Sequence, residues 1–532
     1  MTQWSMVADL RRCVGCQTCT AACKHANATV PAVQWRRVLD FETGSYPEVG
    51  RTFMPVGCMH CSDPPCMHVC PSTATGQRDD GLVTIDYDIC IGCAYCAVAC
   101  PYQARYKVDG PSFAYGGDGR MKHEAAREEP ARLGVAQKCT FCSDKIDFGL
   151  ANGLTPGIDP DATPACVNSC IADALHFGDR DDPASNVSQL LAANATFRMH
   201  TEIGTEPNFH YIWATKAQEG LLATNEVSKP DQPSRGLGGV GAAAPWLQQH
   251  WDWRAAGNFI GGGTGSGLMI VAAVMGLGGE GVGIWPLIAM AFVGAGLFLV
   301  FLETGRPFRA PLNVFFNPRT SWMSREAIAG VVLFASGLAS VALGSVWVLA
   351  LAGIVAAGYL YCQARILTEA KGIPAWRDPA SLPLMMSTGL VEGLAAYMLA
   401  APFLGRPESE LRPAVLALLV LLGVRAWAWN RYIVVMADGA PVETNKALDN
   451  LHGPFQYAGN MFTAALCAII LIWPGIDGPM TATGVIALVS GWLFKYSLIT
   501  QAAYNQGFQL VRTPEKGGGT GAGARPGWDK AA

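Results

Sequence analysis

The apolar positions of this chain change rhythm once. From about Asn258 to Gln501 they form long, nearly continuous stretches of Leu, Ala, Val, Gly, Ile and Trp, whereas residues 1–245 contain no comparable run. A helix rising 1.5 Å per residue needs about 20 apolar residues to cross a hydrocarbon layer about 30 Å thick. By that measure the pattern predicts eight spans: 258–277, 283–302, 325–344, 346–364, 384–404, 413–434, 456–474 and 480–501. The third and fourth meet at Gly344-Ser345 and form a tight helical hairpin. Buried helices of a soluble protein carry one or two such runs, not eight in succession. The Pro- and Gly-rich stretch from Ser228 to Gly239 reads as a flexible linker. The organisation is therefore a polar unit over 1–227, a linker over 228–254, a membrane bundle over 255–510 and a flexible tail over 511–532.

Lys and Arg in the short loops set the expected orientation. With eight spans both termini lie on one side, which collects Arg254, Arg306, Arg309, Arg319, Arg365, Lys371, Arg377, Lys446, Arg512 and Lys516. The opposite loops carry Arg406 and Arg412. The polar unit should therefore face the cytoplasm from a bacterial inner membrane. The residues before Cys13 contain no apolar signal region, and Arg11-Arg12 without one is not a twin-arginine signal. Charged residues make up 15% of the chain, below the roughly 25% of soluble domains. A net charge of −4 supplies no electrostatic case for binding nucleic acid.

Cysteine usage carries the chemistry. Sixteen of the 18 cysteines precede residue 171, leaving Cys362 and Cys467 in the apolar part. They form four quartets: Cys13, Cys16, Cys19 and Cys23; Cys58, Cys61, Cys66 and Cys70; Cys90, Cys93, Cys96 and Cys100; and a split set of Cys139, Cys142, Cys166 and Cys170. Three closely spaced thiolates cover one face of an iron–sulfur cube while a fourth reaches to a neighbouring cube. Disulfides are disfavoured in a reducing compartment. Zinc sites use two separated Cys pairs, not a third cysteine two residues on and a fourth three residues later. Four quartets that absorb every cysteine of this half point to four [4Fe–4S] clusters. Cys70, Cys100 and Cys170 are each followed four residues later by Ala (Ala74, Ala104, Ala174), and β-like runs occur at 82–86 and 175–178. Each unit is then expected as a short helix carrying the last cysteine, plus a small strand. The expected fold class is α+β ferredoxin-like repeats followed by an all-α eight-helix transmembrane bundle. Insertions between Tyr106 and Lys138, and between Cys142 and Cys166, are expected as surface loops for a partner.

These quartets, with Thr140-Phe-Cys-Ser-Asp-Lys145 and Cys90-Ile-Gly-Cys93, resemble the four-cluster electron-transfer subunit of the complex iron–sulfur molybdoenzymes, the dimethyl sulfoxide reductase group. The likeness extends to the iron–sulfur protein of phenylacetyl-CoA:acceptor oxidoreductase and covers residues 5–215. It implies that the first quartet pairs with the fourth and the second with the third. The implied ligand sets are Cys13/Cys16/Cys19/Cys170, Cys139/Cys142/Cys166/Cys23, Cys58/Cys61/Cys66/Cys100 and Cys90/Cys93/Cys96/Cys70. The first would lie nearest a molybdenum subunit and the last nearest the membrane.

The bundle offers no obvious transmembrane haem ligands, since only His250 and His452 lie beyond the polar unit and both flank spans. A lipid-soluble quinone, ubiquinone or menaquinone, is the expected electron partner. Glu303-Thr-Gly-Arg-Pro-Phe-Arg309, Asn317-Pro-Arg-Thr-Ser-Trp-Met-Ser-Arg-Glu326 and Ile373-Pro-Ala-Trp376 resemble the haem-free, eight-helix quinol-binding anchor of dimethyl sulfoxide reductase over residues 255–510. That resemblance puts the quinone site on Glu303, Arg309 and Glu326, with Glu303 replacing a histidine. Glu392, Arg425 and Lys495 lie deeper, where a charge costs about 2.5–3.5 kcal/mol and calls for a partner or a water path. Trp427, Trp429 and Trp492 read as interface anchors, His452 as a secondary proton donor, and Gly261–Gly265 as packing glycines.

Together these features imply an electron-transfer and membrane-anchor subunit linking a large molybdopterin (Mo or W) catalytic subunit to membrane quinone, with substrate oxidation driving quinone reduction. The alternatives are a respiratory reductase running from quinol to substrate, a stand-alone ferredoxin:quinone oxidoreductase, and an iron–sulfur sensor, for which eight spans have no use.

Overall fold

The computed structural model describes residues 2–31, 33–113, 121–122, 129–216, 243–405, 411–473 and 479–514. Linker residues 228–242, Arg406, the tail from 515 and parts of the first insertion (114–120 and 123–128) lie outside the described residues.

The polar half is closed by a four-stranded sheet. Its centre is Trp4–Asp9, buried along its whole length. Leu175–Asp179 pairs antiparallel on one side, with Trp4 opposite Asp179. Phe209–Thr215 pairs parallel on the other, with Met6 opposite Phe209, and Asn194–Phe197 completes the edge. The first and last strands of the half are therefore neighbours, and everything that carries cysteine is threaded between them. A hairpin of two ten-residue strands, Arg36–Ser45 and Glu48–Gly57, accompanies the sheet. Short pairs, Thr75–Gln77 with Val83–Ile85 and Tyr106–Lys107 with Ala136–Gln137, complete the strands.

The short helices depart from the expected repeat in one respect. Pro65–His68, Tyr95–Val98 and Ala165–Asn168 carry the third cysteine of their quartets, and the last cysteine lies just past the helix end. In these three the chain leaves the helix before the last thiol. Only Thr18–Asn27 is long enough to hold both, Cys19 and Cys23. The insertion between Cys142 and Cys166 is not merely loop, because Ser143–Ala151 is helical.

Among the described residues, eight helices are long and apolar enough to span a membrane: Trp253–Glu280, Trp285–Glu303, Trp322–Leu343, Val346–Thr368, Ser381–Ala400, Arg412–Gly439, Val442–Ile472 and Met480–Thr500. This is a multi-pass membrane protein. The seventh begins 14 residues before its predicted start, because the polar turns from Glu443 to His452 continue the same helix outside the apolar stretch. The first span is central and packs on the second, fourth, fifth and eighth. Glycine permits this: a Cβ on Gly261 would lie 2.6 Å from Phe292 O, and one on Gly267 would lie 2.1 Å from Gly389 O. Those distances forbid any larger residue without moving a helix.

The two halves share one apolar core, which runs from Cys66, Cys70, Cys90 and Cys96 through Tyr95 to Trp251, Trp376 and Tyr432. Residues 243–252, expected as linker, instead pass along the junction. Trp246 N donates to Asn505 Oδ1 (3.3 Å), Gln248 N to Ala503 O (3.1 Å) and Trp251 Nε1 to Cys93 O (3.0 Å).

Candidate functional site

The first Cys-x-x-Cys turn of each quartet places its third residue in the left-handed region: Gly15 (φ 71°), His60 (φ 42°), Gly92 (φ 71°) and Phe141 (φ 53°). That conformation turns successive backbone N–H groups inward and brings the two thiols to one side. Glycine adopts it freely. His60 and Phe141 are held there by burial and by stacking on each other at 3.9 Å. A second left-handed residue, Thr73, Gln103 or Asp173, stands three positions after the last cysteine and just before the repeated alanine.

The folded chain gathers the thiols across quartets. Cys19 has Cys13, Cys166 and Cys170 as electrostatic neighbours, and Cys23 has Cys139, Cys142 and Cys166. Cys61 faces Cys58, Cys66 and Cys100, and Cys93 faces Cys70, Cys90 and Cys96. Cys16 is the one exposed thiol of the sixteen. Burial pushes Cys19, Cys96 and Cys142 up to about 12, and Cys100 and Cys139 to about 11. Thiolates crowded together away from water need compensating positive charge, which the iron of a cluster supplies. Donors aimed at sulfur fit the same picture: Ala174 N to Cys170 Sγ (3.2 Å), Phe141 N to Cys139 Sγ (3.4 Å) and Arg105 Nη2 to Cys66 Sγ (2.9 Å).

The set containing Cys70, Cys90, Cys93 and Cys96 rests directly on the bundle. Asn317 Nδ2 donates to Cys70 O (2.9 Å), Ser321 Oγ to Val69 O (2.8 Å) and Ser324 Oγ to Pro71 O (3.3 Å). Gly305 N donates to Gly92 O (3.2 Å) and Tyr95 OH to Ile366 O (2.7 Å). Gly92, Gly134 and Gly305 touch backbone to backbone, closer than a Cβ would allow.

Beneath this set lies a cavity of about 200 Å³, which Cys93, Trp251, Asn258, Glu303 and Glu326 line together with apolar side chains from Leu297 to Ile366. Cys93 is only half-buried because it opens onto this space. Glu303 Oε1 accepts from Asp252 N (3.2 Å). Glu326 Oε1 accepts from Gln363 Nε2 (3.1 Å), which also donates to Asn258 O (3.2 Å). Two of the three residues expected at a quinone site thus share one cavity. Arg309 does not line it; its Nη1 donates to Tyr87 O (2.7 Å) and fastens the turn leading into Cys90.

Deeper in the bundle, Lys495 Nζ donates to Glu392 Oε2 (2.6 Å) and Phe259 O (3.0 Å), and Thr264 Oγ1 donates to the same carboxylate (3.1 Å). Arg425 does not hydrogen-bond that pair; it donates to Asn460 Oδ1 (2.6 Å), Gly459 O (2.8 Å) and Ser490 Oγ (3.1 Å). Of the expected interface tryptophans, Trp427 is exposed, but Trp429 is fully buried with Nε1 donating to His452 Nδ1 (3.1 Å). Trp492 bonds Thr264 Oγ1 (3.0 Å) inside the bundle. Both tryptophans therefore serve packing rather than anchoring. Asn258, Gln363, Arg36, Arg105 and Lys138 have no motif to announce them; an isolated polar residue at a buried position is their only signal.

A family model for a 4Fe-4S dicluster domain matches residues 49–115. A selenate reductase subunit of Mesobacillus selenatarsenatis is 40% identical over 227 residues, covering 40% of this chain and 72% of that protein. A sulfite dehydrogenase subunit of Allochromatium vinosum is 35% identical over 44% of this chain and 92% of its own length. A tetrathionate reductase subunit of Salmonella typhimurium is 36% identical, over 40% and 72% respectively. These matches cover less than half of this chain, which is the longer partner by its helical region. With the thiol sets assembled and its relatives covered over most of their length, the chain belongs to the iron–sulfur subunit family of the dimethyl sulfoxide reductase group, electron-transfer subunits of reductase complexes.

Proposed function

We propose that this chain conducts electrons through four [4Fe–4S] clusters between a molybdopterin (Mo or W) catalytic subunit and membrane quinone, joining transfer subunit and anchor in one polypeptide. The ligand sets are Cys13/Cys16/Cys19/Cys170, Cys139/Cys142/Cys166/Cys23, Cys58/Cys61/Cys66/Cys100 and Cys90/Cys93/Cys96/Cys70. The thiols gathered around Cys19, Cys23, Cys61 and Cys93 support these sets. When bound, the clusters supply one-electron storage at each step.

A single observation carries the quinone reading: Cys93, Glu303 and Glu326 line one cavity, so a cube ligand and two carboxyl groups face the same space. At about 200 Å³ the space is smaller than drug-sized pockets of roughly 300–1,000 Å³ and suits a ring whose tail stays outside. In this reading Glu326, hydrogen-bonded by Gln363, hands a proton to the ring oxygen or takes one from it, and Glu303 offers a second carboxyl in the same cavity. The half with the clusters faces the cytoplasm of a bacterial inner membrane, on the strength of the loop charges. That orientation favours oxidation of a cytoplasmic substrate with quinone reduction. The reverse direction, quinol to substrate, is favoured by the reductase names of two of the three relatives.

Two measurements test this. The anaerobically prepared complex should contain about sixteen irons per chain and a metal-bearing pterin on a co-purifying subunit. Glu326→Gln should slow quinone-linked turnover about 10²-fold while dye-linked turnover and iron content hold; equal loss of both activities would reduce Glu326 to a structural part.

A further inference from the structure

Three guanidinium groups are buried in the cysteine half without a carboxylate partner among the described residues; Arg37 donates to Gln103 O, Tyr102 O and Tyr106 OH, which leaves Arg36 and Arg105. Arg36 and Arg105 are buried, at 0% and 3% exposure. The thiols nearest in charge are Cys166, Cys139, Cys19 and Cys23 around Arg36, and Cys66, Cys96, Cys58 and Cys100 around Arg105, which also has the Lys138 ammonium as a neighbour. Each group of thiols straddles two ligand sets. Arg36 stands between the set ending in Cys170 and the set ending in Cys23, and Arg105 between the set ending in Cys100 and the set ending in Cys70. Lys138 completes the alternation, donating to Val83 O and Cys139 O between the second and third sets.

The two arginines are held differently. Arg105 is fully engaged, with Nη2 on Cys66 Sγ (2.9 Å) and Nη1 on Thr75 Oγ1 (3.0 Å). Arg36 lies 4.9 Å from the Phe209 ring and contacts Met6 Sδ at 3.0 Å, while Nε and Nη1 have no acceptor among the described residues. Buried N–H groups cost free energy unless they find acceptors, and a guanidinium does not shed its proton to escape that cost. The acceptors at hand are the sulfurs of the flanking cubes.

We propose that Arg36 and Arg105 are fixed positive charges, each shared by two cubes, that raise the reduction potentials of the cubes flanking them. The proposal rests on the four-cube reading above. When an electron passes from one cube to the next, the donor is oxidised by one electron and the acceptor reduced by one. The acceptor gains one negative charge, and a cation buried beside it favours that state more strongly than it would in water. A charge lying between both partners of a pair lifts both potentials together. The step between the two members of a pair is left as it was, while the pair as a whole moves relative to the other two cubes.

The test is a redox titration of the intact complex followed by electron paramagnetic resonance, each signal being assigned through one Cys→Ser variant of its set. Arg105→Met should lower the potentials of the two cubes flanking residue 105 and leave the other two in place; Arg36→Met should show the reverse pattern. Arg105→Lys and Arg36→Lys, which keep the charge, should restore most of the shift. Unchanged potentials in a methionine variant with full iron would overturn the proposal, as would lysine variants that shift as far as methionine. If a methionine variant loses iron, the lysine variant decides: near-native potentials support the assignment and lowered ones overturn it. Too little iron in the unmutated protein would instead defeat the four-cube reading, before any arginine is changed.

Discussion

Each half of the molecule buries cations, and each answers them in its own way. In the bundle, Lys495 is neutralised by the Glu392 carboxylate at 2.6 Å, and Arg425 is surrounded by neutral acceptors from Asn460, Gly459 and Ser490. In the cysteine half, Arg36 and Arg105 have no carboxylate partner among the described residues and are ringed by thiols. Burial exacts a similar desolvation cost in both places. In the bundle the main partners of both cations come from the polypeptide, whereas in the cysteine half compensation depends on sulfur that becomes anionic when iron binds. The contrast shows how a chain with few charges divides them: one set locks helices together, the other is tuned to a guest.

The most drastic way to break this comparison is to remove a guest. Cys96→Ala should cost about four irons per chain and abolish quinone-linked turnover, because Cys96 belongs to the set lying on the bundle, while dye-linked turnover survives. Iron analysis beside the two assays checks it.

Next in size is the bundle's own pair. Glu392→Gln leaves an ammonium buried without a counter-charge and should destabilise the protein by about 3–5 kcal/mol, read as thermal unfolding in detergent. Adding Lys495→Met should recover most of that loss, since a missing pair is cheaper than half of one. No comparable rescue is expected for Arg105→Met by changing any carboxylate.

Smaller again is the packing of the central span. Gly267→Ala brings a methyl to 2.1 Å from Gly389 O, which forces the first and fifth spans apart and should cost about 1–3 kcal/mol. Cluster signals should be unaffected, because this contact lies away from the junction.

An effect of similar size sharpens the assignment of one residue. Arg309→Gln removes a charged donor from Tyr87 O (2.7 Å) and should weaken docking of the third quartet by about 1.5–3 kcal/mol, seen as faster loss of cluster signal on warming. Affinity for quinone should hold; a large fall in affinity with stable clusters would return Arg309 to the quinone site.

Much of the architecture is legible in the residue order. Eight apolar stretches correspond to eight helices, since length and hydropathy are properties of a segment and need no partner. The strands expected at 82–86 and 175–178 appear at Val83–Ile85 and Leu175–Asp179. The closing sheet is harder to foresee: Trp4–Asp9 and Phe209–Thr215 pair across some 200 residues, and nothing local marks either as the other's neighbour. Glu303 and Glu326, from two segments that the resemblance assigns to one site, share a cavity, yet Arg309 of the first segment turns to the cluster loop. Trp429 departs from expectation because a tryptophan near a span end looks the same in sequence whether it faces lipid or His452.

The order of residues alone determined the cysteine quartets, the hydrophobic lengths and the loop charges, because spacing along a backbone and the number of apolar residues per span are fixed before folding begins. Which thiols from distant quartets meet, which carboxylates share a cavity, and which buried arginine lies between which two sets were decided only by tertiary structure. Those are relations between segments tens to hundreds of residues apart, set by how sheet, glycine-lined helices and junction pack against one another.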